Sequence, residues 1–231
     1  MTFRRIDQVH RLCQNPLMLS IFVLLVAALL FLILMSLRYG KGMTPLRRAE
    51  GTPLPGFPGP IGLINRLDGI ERKQRDIIPG RAPNVKADGS MTLPLRWEDD
   101  VTAGRLACVA HTWALAQLSD QDPEGGKKRE QAVTRTHIVT FFTALIVIAL
   151  VFIKHLDPKT AMALVAGVWA MLSFIAIPTQ FREWKALEVA RTGLKNAGLW
   201  PRLESDAHAI DTCLKAMTWC RVAGFRRILP R

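Results

Sequence analysis

Residues 101–118 read VTAGRLACVAHTWALAQL, a run of small and apolar residues with one arginine and one histidine. The acidic run EDD at 98–100 precedes it and would stand at the positive end of a helix dipole. The turn-forming run SDQDPEGG follows at 119–126. The pattern predicts a helix that ends near Leu118 and carries His111 in its middle.

Three uncharged blocks surround this helix in the sequence. THIVTFFTALIVIALVFI at 136–153 and TAMALVAGVWAMLSFIAIPT at 160–179 are separated only by KHLDPK and lack the polar face of a globular surface helix. LMLSIFVLLVAALLFLILMSL at 17–37 is long enough, at 1.5 Å per residue, for a hydrocarbon core of roughly 30 Å. The blocks predict transmembrane helix 1 and a transmembrane hairpin. Two buried core helices are the alternative for the second and third blocks.

The basic residues are distributed unevenly about these predicted spans. Of 31 Lys and Arg, 5 fall in residues 1–16 and the hairpin turn, and 26 fall in 38–135 and 180–231. The positive-inside rule therefore predicts an extracytoplasmic N-terminal segment and cytoplasmic segments at 38–135 and 180–231. We expect a multi-pass protein of the bacterial inner membrane with its C-terminus in the cytoplasm, where its cysteines would be thiols.

The net charge of +12 accompanies 49% hydrophobic residues, and this combination argues against a nucleic-acid-binding domain. The cluster KKRE, which contains Lys127, Lys128 and Arg129, and the nearby Arg135 precede an apolar block, where they are predicted to contact anionic lipid headgroups. Trp113 and Gly167 are predicted contacts with partner proteins, Gly167 because a glycine allows close helix packing.

The segment from 40 to 97 is predicted to be less regular. Five Gly and five Pro in 40–60 indicate a linker, and the apolar spacing in 61–78 indicates an amphipathic helix. The turn signal Asp88-Gly89 and the alternation from Met91 to Trp97 predict a small β-hairpin, which Pro94 would restrict to an edge. The predicted fold class is a mostly α integral membrane protein with three transmembrane helices, cytoplasmic helices and one small β-hairpin.

The order of these parts resembles the YugP-like neutral zinc metallopeptidase family of membrane proteins over essentially the whole chain. The local matches are Pro79-Gly80 with the Asp88-Gly89 hairpin, LRWEDDVTAGRLACVAHTWALAQ at 95–117, IPTQF at 177–181, NAGLW at 196–200 and the last helix. The resemblance implies a metallopeptidase-like fold with its active-site helix at 101–118.

The zinc motif of that family is degenerate in this chain. HExxH places two imidazoles four residues apart on one helix face, with a glutamate that activates the zinc-bound water. The corresponding sequence is His111-Thr112-Trp113-Ala114-Leu115, so the catalytic glutamate is replaced by Thr112 and the second ligand by Leu115. The family's acidic residue after the third span corresponds to Gln180. The resemblance therefore implies that no zinc cofactor is bound.

These replacements predict a catalytically inactive protein that acts as an accessory, structural or assembly subunit of a larger inner-membrane protein complex. Its partners would be integral-membrane protein subunits. A lone histidine among apolar residues is typical of a core or interface position, although a metal site that joins His111 to Cys108, His208, Cys213 or Cys220 is an alternative. A zinc peptidase with non-standard ligands and a peptide-binding regulator of membrane proteolysis are the rival functions.

Overall fold

The computed structural model of the chain describes most residues between 36 and 220. The described residues are Val26, Leu29, Leu32, Ile33, 36–71, 75–80, 83–86, 88–94, Trp97, 101–153 and 158–220. Residues 1–16, most of the predicted span at 17–37 and the end of the chain after Cys220 lie outside them.

Helix α3, Ala103–Gln121, is the predicted helix around His111, and it lies at the centre of the described structure. It is covered on all sides, since 15 of its 19 residues are buried. Small side chains on every face let the neighbouring helices approach closely. The helix begins after Thr102, whose hydroxyl accepts a hydrogen bond from the Arg105 backbone N–H at 3.4 Å.

Helices α4, Pro123–Phe152, and α5, Pro158–Asn196, are longer than the apolar blocks within them. Ion pairs join Arg129 to Glu183 and Asp122 to Arg182. Because these contacts connect the beginning of α4 to the middle of α5, the two helices run antiparallel. Helix α5 continues beyond the predicted span at 160–179 through the segment FREWKALEVARTGLKN.

Within the part of the chain that the structure describes, no helix carries an apolar stretch long enough to cross a membrane. The prediction of an integral membrane protein with three transmembrane helices is therefore wrong, as is the predicted multi-pass insertion in a bacterial inner membrane. The apolar portions of α4 and α5 are parts of longer helices that also contain charged portions, at 124–135 and 182–191.

Apolar side chains are exposed along the end of α4 and the beginning of α5, and we call this region the apolar arm. Phe152 is 83% exposed and Met162 is 75% exposed. The other exposed members are Ile138, Val139, Phe142, Leu145, Ile146, Ile148, Leu164 and Met171. Exposed apolar surface of this extent marks a contact surface for another molecule.

Residues 38–49 belong to the core and are not part of a linker. A π-helical segment, Arg38–Met43, and helix α1, Thr44–Ala49, pack on the last helix, α6, Glu204–Cys220. A Cβ atom added at Gly42 would stand 3.1 Å from the backbone nitrogen of Cys220. The predicted linker is therefore wrong in this part, since its apolar side chains Met43, Leu46 and Leu54 are buried.

A three-stranded sheet covers one end of α3. Its strands are β1, Ile77–Pro79, β2, Asn84–Val85, and β3, Met91–Leu93, in the order β1-β3-β2. Strands β2 and β3 are antiparallel and flank the predicted Asp88-Gly89 turn, where Gly89 has φ +82°. Strand β1 pairs parallel with β3, which makes β3 central. Pro94 follows β3 and does not restrict it to an edge.

Helix α2 and the end of α5 complete the described structure. Helix α2, Pro60–Glu71, ends before the predicted limit at residue 78 because the chain has entered strand β1 by Ile77. Helix α5 ends at Asn196, Gly198 follows with φ +65°, and the N–H of Leu199 donates to the carbonyl of Leu194 at 2.9 Å. Cys108, Cys213 and Cys220 are buried and form no disulfide within the described residues.

The contact between α3 and α5 at Gly193 generates a stability prediction. A Cβ atom at this position would stand 2.6 Å from Cζ3 of the buried Trp113 ring. Overpacking costs about 1–3 kcal/mol, whereas alanine returns up to about 1 kcal/mol of helix propensity. Gly193→Ala should therefore lower the free energy of unfolding by about 1 kcal/mol, measured by urea unfolding with circular dichroism.

Gly69 provides the matched control on α2, since it is exposed and nothing lies within 4 Å of an added Cβ atom. Gly69→Ala should raise the free energy of unfolding by about 0.5–1 kcal/mol. An equal stabilisation of the Gly193→Ala protein would contradict the close packing of α5 on α3.

Candidate functional site

His111 lies in the middle of α3 and is 1% exposed. Its Nε2 atom is 3.4 Å from Oε2 of Glu183, which projects from α5 and is 2% exposed. The imidazole therefore faces a buried carboxylate. A buried charge without a compensating partner is strongly unfavourable. The groups that surround the Glu183 carboxylate therefore determine the chemistry of this site.

Arg129 of α4 provides the compensating charge. Its Nε atom donates a hydrogen bond to Oε1 of Glu183 at 2.8 Å, and its Nη2 atom is 2.7 Å from the same oxygen. Arg129 is itself only 5% exposed. The three side chains form a buried polar cluster, which we call the His111–Glu183–Arg129 cluster and which joins helices α3, α4 and α5.

The two other motif positions on α3 are occupied by groups that bind no metal. The hydroxyl of Thr112 donates to the carbonyl of Cys108 at 2.8 Å, a bond within its own helix. Leu115 is buried in the hydrophobic core. Since both side chains are enclosed, neither presents a surface to a peptide.

Gln180 holds α5 to α6, because its Nε2 atom donates to the backbone carbonyl of Thr218 at 2.7 Å. The acidic side chain that faces His111 is Glu183, one helical turn further along. Sequence reasoning missed Glu183 because the resemblance placed the position at Gln180. It also missed Arg129, which appeared as one of several basic residues in KKRE. No sequence signal pairs Arg129 with Glu183 across 54 positions.

The described side chains around His111 do not fit a zinc site. Among the described residues, no group of three or more His, Cys, Asp or Glu side chains is arranged to hold a metal ion, and the alternative with Cys108, His208, Cys213 and Cys220 does not form one. Zinc takes three or four protein ligands, whereas the carboxylate that faces His111 is already bound to a guanidinium. The positive charge of Arg129 would also repel a metal cation.

Trp113 is buried on the opposite side of α3, next to a second polar cluster. Its indole N–H donates to Oδ1 of Asp68 at 2.8 Å, and the same carboxylate pairs with the buried Arg75. Arg75 also lies 5.5 Å from the indole ring and 3.1 Å from the carboxylate of Asp120. These contacts attach α2 and the segment before β1 to α3. A partner contact by Trp113 stays a prediction.

The other predicted contact residues lie on α4 and α5. Lys127, Lys128 and Arg135 are exposed, and Lys128 is 2.9 Å from the carboxylate of Glu124. Gly167 is half-buried in α5. Their roles toward lipid headgroups or partner helices stay predictions. Arg129 differs from its neighbours because its charge is directed into the protein.

Arg182 closes the junction between α3 and α4. Its Nη2 atom donates to the carbonyl of Leu118 at 2.7 Å and to that of Asp122 at 3.0 Å, so it caps the end of α3. Its Nη1 atom donates to the Asp122 carboxylate at 2.9 Å. The backbone N–H of Gly125 also donates to this carboxylate, and this bond, with help from Arg182, holds the pKa of Asp122 below its usual range.

The Arg129–Glu183 ion pair generates a prediction on stability. Arg129→Leu removes the guanidinium that compensates the buried Glu183 charge, and we expect the free energy of unfolding to fall by about 3–5 kcal/mol. The double variant Arg129→Leu/Glu183→Leu should lose much less, because no charge stays buried. Urea unfolding of the parent, Arg129→Leu, Glu183→Leu and the double variant gives the free energies to compare.

Lys128→Gln is the control for the ion pair, since this exposed neighbour should change stability by no more than about 0.5 kcal/mol. If the losses from Arg129→Leu and Glu183→Leu simply add in the double variant, the pair is not coupled and the geometry of the cluster is contradicted.

The lowered pKa of Asp122 predicts a pH-dependent stability. Because the pKa is lower in the folded state, ionised Asp122 stabilises the fold above its unfolded-state pKa, and this contribution is lost as the pH falls through the folded-state pKa. Asp122→Asn should therefore destabilise the protein at neutral pH and converge with the parent in acid. Urea midpoints from about pH 7 to about pH 2 measure the difference.

Glu124→Gln is the matched control for Asp122, since the Glu124 carboxylate pairs with an exposed lysine on the same helix. Its effect should be small at every pH. A penalty for Asp122→Asn that stays constant through the acid range would show that the charge of Asp122 does not matter.

Comparisons with known proteins give no relative from which the role of the cluster could be taken. No protein-family model matches this chain, and neither the curated proteins nor the solved structures contain a match. The function must therefore be argued from the geometry of the His111–Glu183–Arg129 cluster and from the exposed surfaces of the molecule.

Proposed function

We propose that this protein is a catalytically inactive relative of the YugP-like zinc metallopeptidases and serves as an accessory, structural or assembly subunit of a larger protein complex. The observation that carries the proposal is the Arg129–Glu183 ion pair beside His111. The guanidinium of Arg129 binds the carboxylate of Glu183, and this carboxylate faces His111.

The chemistry of the neighbouring groups supports the loss of peptidase activity. A general base must accept a proton near neutral pH, which a threonine hydroxyl does not do. Thr112 occupies the position of the catalytic glutamate, and its hydroxyl is bound to the carbonyl of Cys108. Glu183 is held by Arg129, which stabilises the ionised carboxylate but also blocks its approach to a metal or a water.

The apolar arm supports the role in a complex. Side chains such as Leu145, Ile148 and Phe152 are more than half exposed, although comparable side chains are buried around α3. Exposed apolar surface is stabilised when a partner covers it, at about 25 cal/mol per Å². A partner protein with a matching apolar face is therefore the expected occupant.

Zinc content and complex size together test the proposal. The full chain would be purified from its native cells in a mild detergent that protects the apolar arm. Elemental analysis should give far less than one zinc per chain, and His111→Ala should give the same value, because the histidine is not a ligand. Multi-angle light scattering should show the parent chain in a larger complex of defined composition.

Variants of the apolar arm test the partner contact. Leu145→Ser/Ile148→Ser should release the chain from the complex, because both exposed side chains would face the partner. Leu203→Ser changes another exposed leucine, outside the arm, and should leave the complex intact. One zinc per chain that is lost in His111→Ala would instead favour a peptidase with non-standard ligands. Bound peptides without a fixed protein partner would favour a peptide-binding regulator.

A further inference from the structure

A cavity of about 380 Å³ opens where the end of α3 and the beginning of α4 meet the middle of α5. It lies beside Arg182, and Arg129 of the His111–Glu183–Arg129 cluster also lines it. The residues that matter for its chemistry are Leu118, Asp122, Lys128, Phe181, Arg182 and Lys185. We call it the junction cavity.

The junction cavity is positively charged. Its lining has four basic side chains, Lys128, Arg129, Arg182 and Lys185, and one acidic side chain, Asp122. Glu183 compensates Arg129, Asp122 compensates Arg182, and the exposed Glu124 pairs with Lys128. Lys185 is exposed and has no ion-pair partner among the described residues. One positive charge is thus left at the mouth of the cavity.

The cavity also has an apolar side. Leu118 and Phe181 line it, and the Phe181 ring is largely exposed. The exposed side chains of Ile138 and Val139 belong to the same helix as Arg129, and Ile138 lies nine residues further along α4, which at 1.5 Å per residue is about 14 Å. A ligand with its charged group at Lys185 could therefore extend a hydrocarbon chain toward the apolar arm.

We propose that the junction cavity binds the phosphate group of an anionic lipid. A phosphodiester carries one negative charge, which matches the single uncompensated charge of Lys185. Lys128 adds a second donor, since an exposed pair such as Lys128–Glu124 contributes little and is readily exchanged. The acyl chains would cover Phe181 and the beginning of the apolar arm.

Soluble short-chain lipids test this site without a bilayer. The full chain would be titrated by isothermal calorimetry with dihexanoyl phosphatidylglycerol, dihexanoyl phosphatidylcholine and inorganic phosphate. We expect phosphatidylglycerol to bind most tightly. Phosphatidylcholine has the same tails and phosphate but no net charge, and it should bind about tenfold more weakly, as should phosphate without a tail.

Two variants separate the charged and apolar contributions. Lys185→Gln should weaken phosphatidylglycerol binding about tenfold, whereas Lys127→Gln, at an exposed lysine that does not line the cavity, should leave it unchanged. Phe181→Ser should weaken lipid binding but not phosphate binding. Circular dichroism checks the fold of each variant, and all three residues are exposed, so folding should be retained.

Several results would overturn the proposal. Equal affinity for phosphatidylcholine would remove the role of the charge. Inorganic phosphate that binds as tightly as the lipid would make the cavity a site for free phosphate. Equal effects of Lys185→Gln and Lys127→Gln would mean that binding is distributed over the surface and does not use the cavity. These outcomes are independent of zinc content and complex formation.

Discussion

The burial of α3 on all its faces is the constraint that the other described helices must satisfy. A helix that is covered on all sides must have each polar side chain satisfied by its own backbone or by a neighbouring helix. Thr112 and Ser119 bind carbonyls of α3 itself, at 2.8 and 2.9 Å. Trp113 requires a carboxylate from α2, and His111 faces a carboxylate from α5. The polar residues of α3 therefore fix the positions of α2 and α5.

The buried charges extend this constraint to α4. Placing Glu183 opposite His111 brings a carboxylate into the core, and the fold accommodates it through Arg129. The same arrangement governs the chemistry, because a guanidinium contributes a permanent positive charge without an open coordination position. The cluster is thus suited to holding three helices together, and its composition favours a structural role over a hydrolytic one.

The outer portions of α4 and α5 differ from the portions that pack on α3, because their apolar side chains are exposed. Near Arg129 and Glu183 the two helices pack on α3. From Ile138 onward α4 exposes apolar side chains, and α5 does so between Met162 and Met171. The junction cavity lies at the transition between these portions. Because charged side chains line one side of the cavity and apolar side chains the other, its lining matches an amphiphilic molecule. The apolar arm matches an apolar protein surface.

The sequence by itself determined several local features. Small apolar residues and the turn residues after Leu118 specify α3, glycine allows the positive φ at Gly89 and Gly198, and the apolar blocks at 136–153 and 160–179 lie in helices. These features follow from helix and turn propensities, which act over a few residues. The same local reasoning also misled, since it divided α5 at the edge of an apolar block and assigned Met43 and Leu46 to a linker.

Only the tertiary structure decided which side chains meet. Glu183 faces His111 three residues beyond Gln180, the position that the resemblance implied, and Arg129 is directed inward, unlike the adjacent Lys128. The parallel pairing of β1 with β3 belongs to the same class of non-local contact. Such contacts depend on how helices and strands pack across tens of residues, and the pattern of residues along one segment contains no information about the charge on another. The surroundings of His111 were therefore decided by packing.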